Sequence, residues 1–252
     1  FLLASLKITA SILIIFLCSV GTGYILCRLL KMPQNDFGLL SFCLFFANTG
    51  GIGIPVVAML LGREALLYAS IAEIAVDVLI FTCGIMLIRI SGKQTGEGTA
   101  TDFRKLLSPG LVGIVIGLVL LLFHIRLPAV IAAACGKLGG ANFPIAMFII
   151  GYNLGRIKFR DVLDDCRIYI AVAVKMLAMP AAAYLICMLC RLDFITGGVV
   201  TIMMAMPTGS AAVIFAQEYE ADHAYASKFV MLTTMASILT LVPLNAFFLA
   251  GN

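Results

Sequence analysis

Apolar residues in this chain gather into long runs of about 20 or more, separated by short polar connectors. Eight runs stand out: 8–30, 37–61, 65–90, 106–125, 129–154, 168–190, 194–215 and 225–250. A helix of about 20 apolar residues crosses the hydrocarbon layer of a bilayer. Only helices and closed barrels satisfy their backbone polar groups there. Barrel strands alternate apolar and polar positions in short segments, and these runs do not. The pattern predicts an all-α polytopic membrane protein with eight visible spans.

Composition narrows the function. The 252 residues are 62% hydrophobic and 12% charged, against about 45–50% and about 25% in soluble domains. That excludes a soluble enzyme, a nucleic-acid binder and a disordered chain. The few basic residues are distributed by side. Arg28, Lys31, Arg89, Lys93, Arg104, Lys105, Arg156, Lys158, Arg160 and Arg167 fall on one side of the predicted spans; Lys7, Arg63, Arg126 and Arg191 fall on the other. The positive-inside rule assigns the richer side to the cytoplasm. The C-terminus then lies outside a cytoplasmic (plasma) membrane. These connectors account for the net charge of +4, and the partner they imply is the lipid bilayer, with no nucleic acid. Of eight cysteines, seven lie inside spans and read as small packing residues. No metal site is expected.

An internal repeat is visible. Tyr68-Ala69-Ser70 recurs as Tyr225-Ala226-Ser227, 157 positions later. With that offset, spans 168–190, 194–215 and 225–250 fall on the first three visible spans, while residue 106 maps to −51. Two further spans upstream of Phe1 are therefore expected. The prediction is a ten-helix protein of five plus five, the halves inserted in opposite directions, which is a common plan for secondary transporters. The visible chain divides into residues 1–90 (three helices of the first repeat), a cytoplasmic linker 91–105, and residues 106–252 (the second repeat).

Two spans carry breaks in corresponding places. Asn48-Thr49-Gly50-Gly51-Ile52-Gly53-Ile54-Pro55 interrupts the second and Met206-Pro207-Thr208-Gly209-Ser210 the seventh. Pro lacks the N–H that a helix needs and clashes with the preceding turn. Non-helical backbone at membrane depth is tolerated only when buried in protein or lining a wet cavity. A break frees N–H groups at one half-helix and carbonyls at the other, and the N–H end attracts anions. Asn48 adds amide donors suited to a carboxylate. The bland alternative is a pair of packing kinks.

Ionisable groups inside spans point to function by default. Glu73 and Asp77, four residues apart, share a helix face. They read either as a proton or Na⁺ coupling site or as partners of Lys137, Lys175 or Lys228. Lys175 lies seven residues into its span, before Pro180, either as a counter-charge for an anion or snorkelling to the interface. Gln217 and Glu218 read as a solvated span end. No HExxH, GxGD or paired-glutamate motif is present, so no enzyme activity is expected.

Asn48-Thr49-x-x-x-Gly53-Ile54-Pro55 is similar to the first crossover motif of the auxin efflux carrier family, which includes bacterial malate-permease-like proteins and the plant PIN-formed carriers. Ala205-Met206-Pro207-x-Gly209, followed by Phe215-Ala216-Gln217-Glu218-Tyr219, resembles its second. Ala146-Met147-Phe148-x-x-Gly151 resembles a segment of the family's second half. The resemblance implies ten spans in two inverted repeats, both termini outside and a cytoplasmic central loop. It implies that Asn48 and Pro55 line the carboxylate site of one crossover and Pro207 that of the other. Thr49, Gly50, Gly53, Thr208 and Gly209 complete the candidate set. The short linker resembles that of bacterial members. Span 8–30 carries no acidic or basic residue before Arg28, unlike the plant carriers. The expected function is a secondary transporter of small organic anions, with no cofactor beyond H⁺ or Na⁺ coupling and with room for a homodimer. The alternative is a sodium-coupled symporter of the bile-acid type, with Na⁺ on Glu73 and Asp77.

Overall fold

The computed structural model describes residues 2–33, 36–92, 112–113, 116–117, 119–120, 123, 125–155 and 166–250. Its elements are α1 (Leu2–Leu29), α2 (Phe37–Phe45), α3 (Ile54–Leu61), α4 (Ala65–Ser91), α5 (Ala129–Gly155), α6 (Cys166–Leu189), α7 (Phe194–Ala205), α8 (Ala211–Glu218) and α9 (His223–Ala250). Among the described residues, α1, α4, α6 and α9 are long and apolar enough to cross a membrane. The predicted span 106–125 and most of the linker lie largely outside the described residues.

Two expected edges move. α1 begins before Ile8 and takes in Lys7, whose ammonium donates to the Arg191 carbonyl at 2.9 Å. Ser91 belongs to α4, where its hydroxyl accepts from Leu39 N at 2.8 Å. It ties α4 to the start of α2 instead of opening a linker. Residues assigned to opposite sides separate along α1. Lys7 meets Arg191 near one end; at the other, the Arg167 guanidinium reaches the Lys31 carbonyl at 3.4 Å.

The predicted spans 37–61 and 194–215 are each two short helices with a gap between them. Element bounds recur at the offset of 157. Shifted by it, α7 starts on the first residue of α2, and α8 coincides with α3 at both ends. α1 and α6 also end alike. Lys31 and Arg191 take left-handed φ of 50° and 52°. Met32 N bonds the Cys27 carbonyl and Leu192 N the Cys187 carbonyl, closing each helix with a Schellman turn.

Three π-helical turns interrupt the helices: Thr49–Gly53 ahead of α3, Ile80–Gly84 inside α4 and Val174–Ala178 inside α6. Two of them precede a proline, Pro55 and Pro180. A proline ring crowds the turn before it and withdraws a donor, and a widened turn relieves both. Such turns gather at functional sites.

The core lies around α2 and α7, which are buried over almost their whole length. α1 packs on α2, α4, α6 and α7. Small residues bring helices close, as is usual in membranes. A Cβ on Gly38 would strike the Leu87 carbonyl of α4. Rings fill the middle. Phe42 and Phe46 lie tilted against each other at 4.4 Å, Phe45 meets Phe46 edge-on at 4.9 Å and Phe16 meets Phe45 at 5.1 Å.

Candidate functional site

The two breaks meet. Ala47 and Thr208 form an isolated antiparallel bridge. Asn48 N donates to the Pro207 carbonyl at 2.7 Å, and Gly209 N donates to the Phe46 carbonyl at 3.0 Å. α7 packs against α3 and its preceding turn, while α2 packs against α8. The carbonyl end of each half-helix therefore faces the N–H end of the other. The candidate residues 48–55 and 207–209 come together at one point.

The two breaks differ in exposure. Gly50, Gly51 and Pro55 are exposed and Asn48 is half-buried, whereas Thr49 and Gly53 are buried. Pro207, Thr208 and Gly209 are all buried. Asn48 caps the first break: its side-chain oxygen accepts from Gly51 N at 3.2 Å. Its amide nitrogen takes no partner among the described residues. Thr208 seals the second break. Its hydroxyl donates to the Cys43 carbonyl at 2.7 Å, and its N–H donates to Thr233 Oγ1 of α9 at 3.2 Å.

Glu73 reaches the first break from α4. A Cβ on Gly50 would lie 2.7 Å from Glu73 Oε1, so the carboxyl rests directly on that glycine. Thr49 and Asp77 are its polar neighbours there. Glu73 Oε2 is buried without a hydrogen-bond partner among the described residues.

Lys175 belongs to the second set of carbonyls. It is 0% exposed and does not snorkel; its ammonium donates to the Met204 carbonyl near the end of α7, at 3.4 Å. The π turn that carries it packs against α2, α7 and α9. Lys137 is exposed on α5, and Gln217 and Glu218 close α8 in exposed positions.

Thr233 was not visible as a site residue. A threonine in a membrane helix ordinarily bonds its own helix carbonyls. Thr233 does so, at 2.9 Å to Phe229 and 3.0 Å to Val230, and nothing in the sequence marks the second role its oxygen plays.

Comparison with known proteins places the chain in a family. The model of the membrane transport protein family matches residues 1–102 and 98–244. The chain belongs to that family, the auxin efflux carriers. It is also 27% identical over 195 residues to an "Uncharacterized transporter" of Methanothermobacter thermautotrophicus. The match takes in 77% of this chain and 62% of that relative, so the chain spans less than two thirds of the relative's length. The stretches 48–55 and 205–219, which resemble carrier-family motifs, contain the two meeting breaks. The chain is a multi-pass membrane protein of a transporter family.

Proposed function

We propose that this chain is the core of a secondary carrier for small organic anions, carboxylates above all, bound where the two broken helices meet. The seat of Glu73 carries this reading. A carboxyl of the protein itself rests on Gly50, at the start of a half-helix whose N–H end attracts negative groups. A substrate carboxylate has the same chemistry. The exposed Gly50 and Gly51 and the unpartnered Asn48 amide offer it a seat beside the one Glu73 occupies.

Two carboxylates cannot share that seat as anions. Protonation of Glu73 releases its hold and admits the substrate, which couples one proton to one anion. The bridged half-helices move as one piece against the remaining helices, opening the seat to each side in turn. The recurrence of element bounds at 157 positions supports a five-plus-five inverted plan, the usual frame for such rocking. The asymmetry of basic residues supports a cytoplasmic membrane with the C-terminus outside.

The test is uptake of mono- and dicarboxylates into vesicles carrying correctly inserted protein. A lost hydrogen bond to a charged group costs about 1.5–3 kcal/mol, so Asn48→Ala is expected to lower uptake at low substrate about tenfold or more. A variant that moves every anion as well as its parent overturns the reading. Sodium-free buffer separates the symporter alternative: flux that vanishes there favours Na⁺ on Glu73 and Asp77, and flux that follows an imposed pH gradient favours the proton.

A further inference from the structure

Lys175 sits at the meeting point among helix carbonyl ends, apart from the seat of Glu73. Its whole side chain is buried, on a π turn, seven residues into an otherwise apolar span. Burying an ammonium is costly unless something of opposite polarity holds it. The Met204 carbonyl, at the end of α7, accepts from it at 3.4 Å. Cys43, at the end of α2, lies within its electrostatic reach. The Cys43 carbonyl accepts from the Thr208 hydroxyl of the other break. The last carbonyls of a helix have no partner within it and carry a negative partial charge. α2 and α7 both end at the meeting point, so two such ends converge there. In carriers built on broken helices, such ends and unwound carbonyls coordinate the coupling cation.

We propose that the Lys175 ammonium is a resident cation: it is tethered among the carbonyl ends of the two half-helices and fills the position an alkali ion would otherwise occupy. This rests on the reading of the breaks as the carrier's working centre, and extends it to how the centre is balanced. The protein carries its own positive charge at the converging carbonyls, and the meeting point holds together without Na⁺, K⁺ or Li⁺. The device is single. The matched ends of α1 and α6 stand 160 positions apart, and by that offset Lys175 falls on Ile15, which is buried and carries no charge to offer.

The test is thermal unfolding of the full-length protein at constant ionic strength, in chloride salts of Na⁺, K⁺, Li⁺ or N-methyl-D-glucamine. The parent is expected to unfold at one temperature in all four. Lys175→Ala leaves both the charge and its volume empty. It is expected to unfold several degrees lower in N-methyl-D-glucamine, and to recover part of the loss, saturably, on titration with at least one alkali cation. Lys175→Met fills the volume without the charge; it is expected to be destabilised and to gain nothing from any cation. A purely structural lysine would give the same loss in every salt for both variants.

Saturable stabilisation of the parent by an alkali cation overturns the proposal, as does a folded Lys175→Ala protein indifferent to all of them. Should Lys175→Ala fail to fold, Lys175→Ser carries the same comparison. Because unfolding is read without any substrate, a failure here leaves the anion-carrier reading standing. Loss of that reading would appear in the uptake assay alone.

Discussion

Gly50 and Pro207 stand 157 positions apart, in two breaks whose leading half-helices start alike and whose following half-helices coincide. Gly50 is exposed, with Glu73 resting on it; Pro207 is buried, its carbonyl taken by Asn48 N. The next pair differs in the same sense. Gly51 is exposed and its N–H is capped by Asn48, whereas Thr208 is buried and held by two other helices. Backbone that repeats has been given opposite surroundings, one break open and one sealed. The charges follow the helix ends. The acid sits where a half-helix begins and the base where half-helices stop, which is the arrangement helix dipoles favour. Neither charge has a counterpart in the other half, since Glu73 maps to Val230 and, by the matched ends of α1 and α6, Lys175 to Ile15.

If the second break is sealed by packing, removing the packing should cost the most. Phe46 is 1% exposed and lies against Phe42, Phe45 and the Cα of Gly84, and its carbonyl accepts from Gly209. Phe46→Ala should destabilise by about 3–5 kcal/mol, seen as a large fall in unfolding temperature or as little folded protein after extraction. Thr208→Val should come next, at about 1–3 kcal/mol. It keeps the volume but leaves the Cys43 carbonyl without its donor in a buried place. A Thr208→Val protein as stable as its parent would mean that the second break is not held by this bond.

How much of this the sequence carried depends on range. The four long apolar helices follow from long apolar runs, and the breaks from Pro and Gly set among them, so both were legible in the local sequence. The pairing of the breaks followed from the 157-residue offset. The π turn under Lys175 left only a trace, Pro180. A lysine seven residues into a span looks able to reach the interface until α2, α7 and α9 close around it. Thr233 and Ser91 were illegible for a similar reason. A hydroxyl on a helix always has a local carbonyl to bond, so a long-range role leaves no mark in the neighbouring residues. The seat of Glu73 on Gly50 is also a tertiary fact, for spacing along α4 fixes a face but not what it meets.

The open break should respond in transport more than in stability. Gly50→Ala puts a methyl group 2.7 Å from Glu73 Oε1, and the carboxyl, at the end of a flexible side chain, must move off. The stability change should stay within about 1 kcal/mol, the usual scale of a Gly-to-Ala exchange. The pH dependence of uptake should shift, since the seat from which Glu73 competes with substrate is altered. An unchanged pH profile would separate Glu73 from the transport step and make the open break a mere gap in packing.

The smallest effect reaches the two half-helices from their other ends. Asp36 and Asp193 precede α2 and α7 and again stand 157 positions apart. Burial pushes the Asp36 carboxyl up, and Asp222 adds to the rise; it makes no side-chain cap. Burial also pushes Asp193 up, but hydrogen bonds from the Thr196 hydroxyl and backbone outweigh it and hold the group below the usual range. The signs then oppose. A raised folded value means that the folded state holds the Asp36 proton more tightly, so stability falls as pH rises from the ordinary carboxylate range through that raised value. A lowered value means that the contribution of Asp193 is present above the ordinary range and fades as pH drops through the lowered one. At neutral pH, Asp193→Ala should therefore destabilise, by about 0.5–1 kcal/mol at so exposed a cap, while Asp36→Asn should leave stability unchanged or raise it. Unfolding temperatures of the two variants measured between acid and neutral pH should diverge as pH rises. If they moved together, the halves would differ at their breaks alone and not along the whole length of the helices that lead to them.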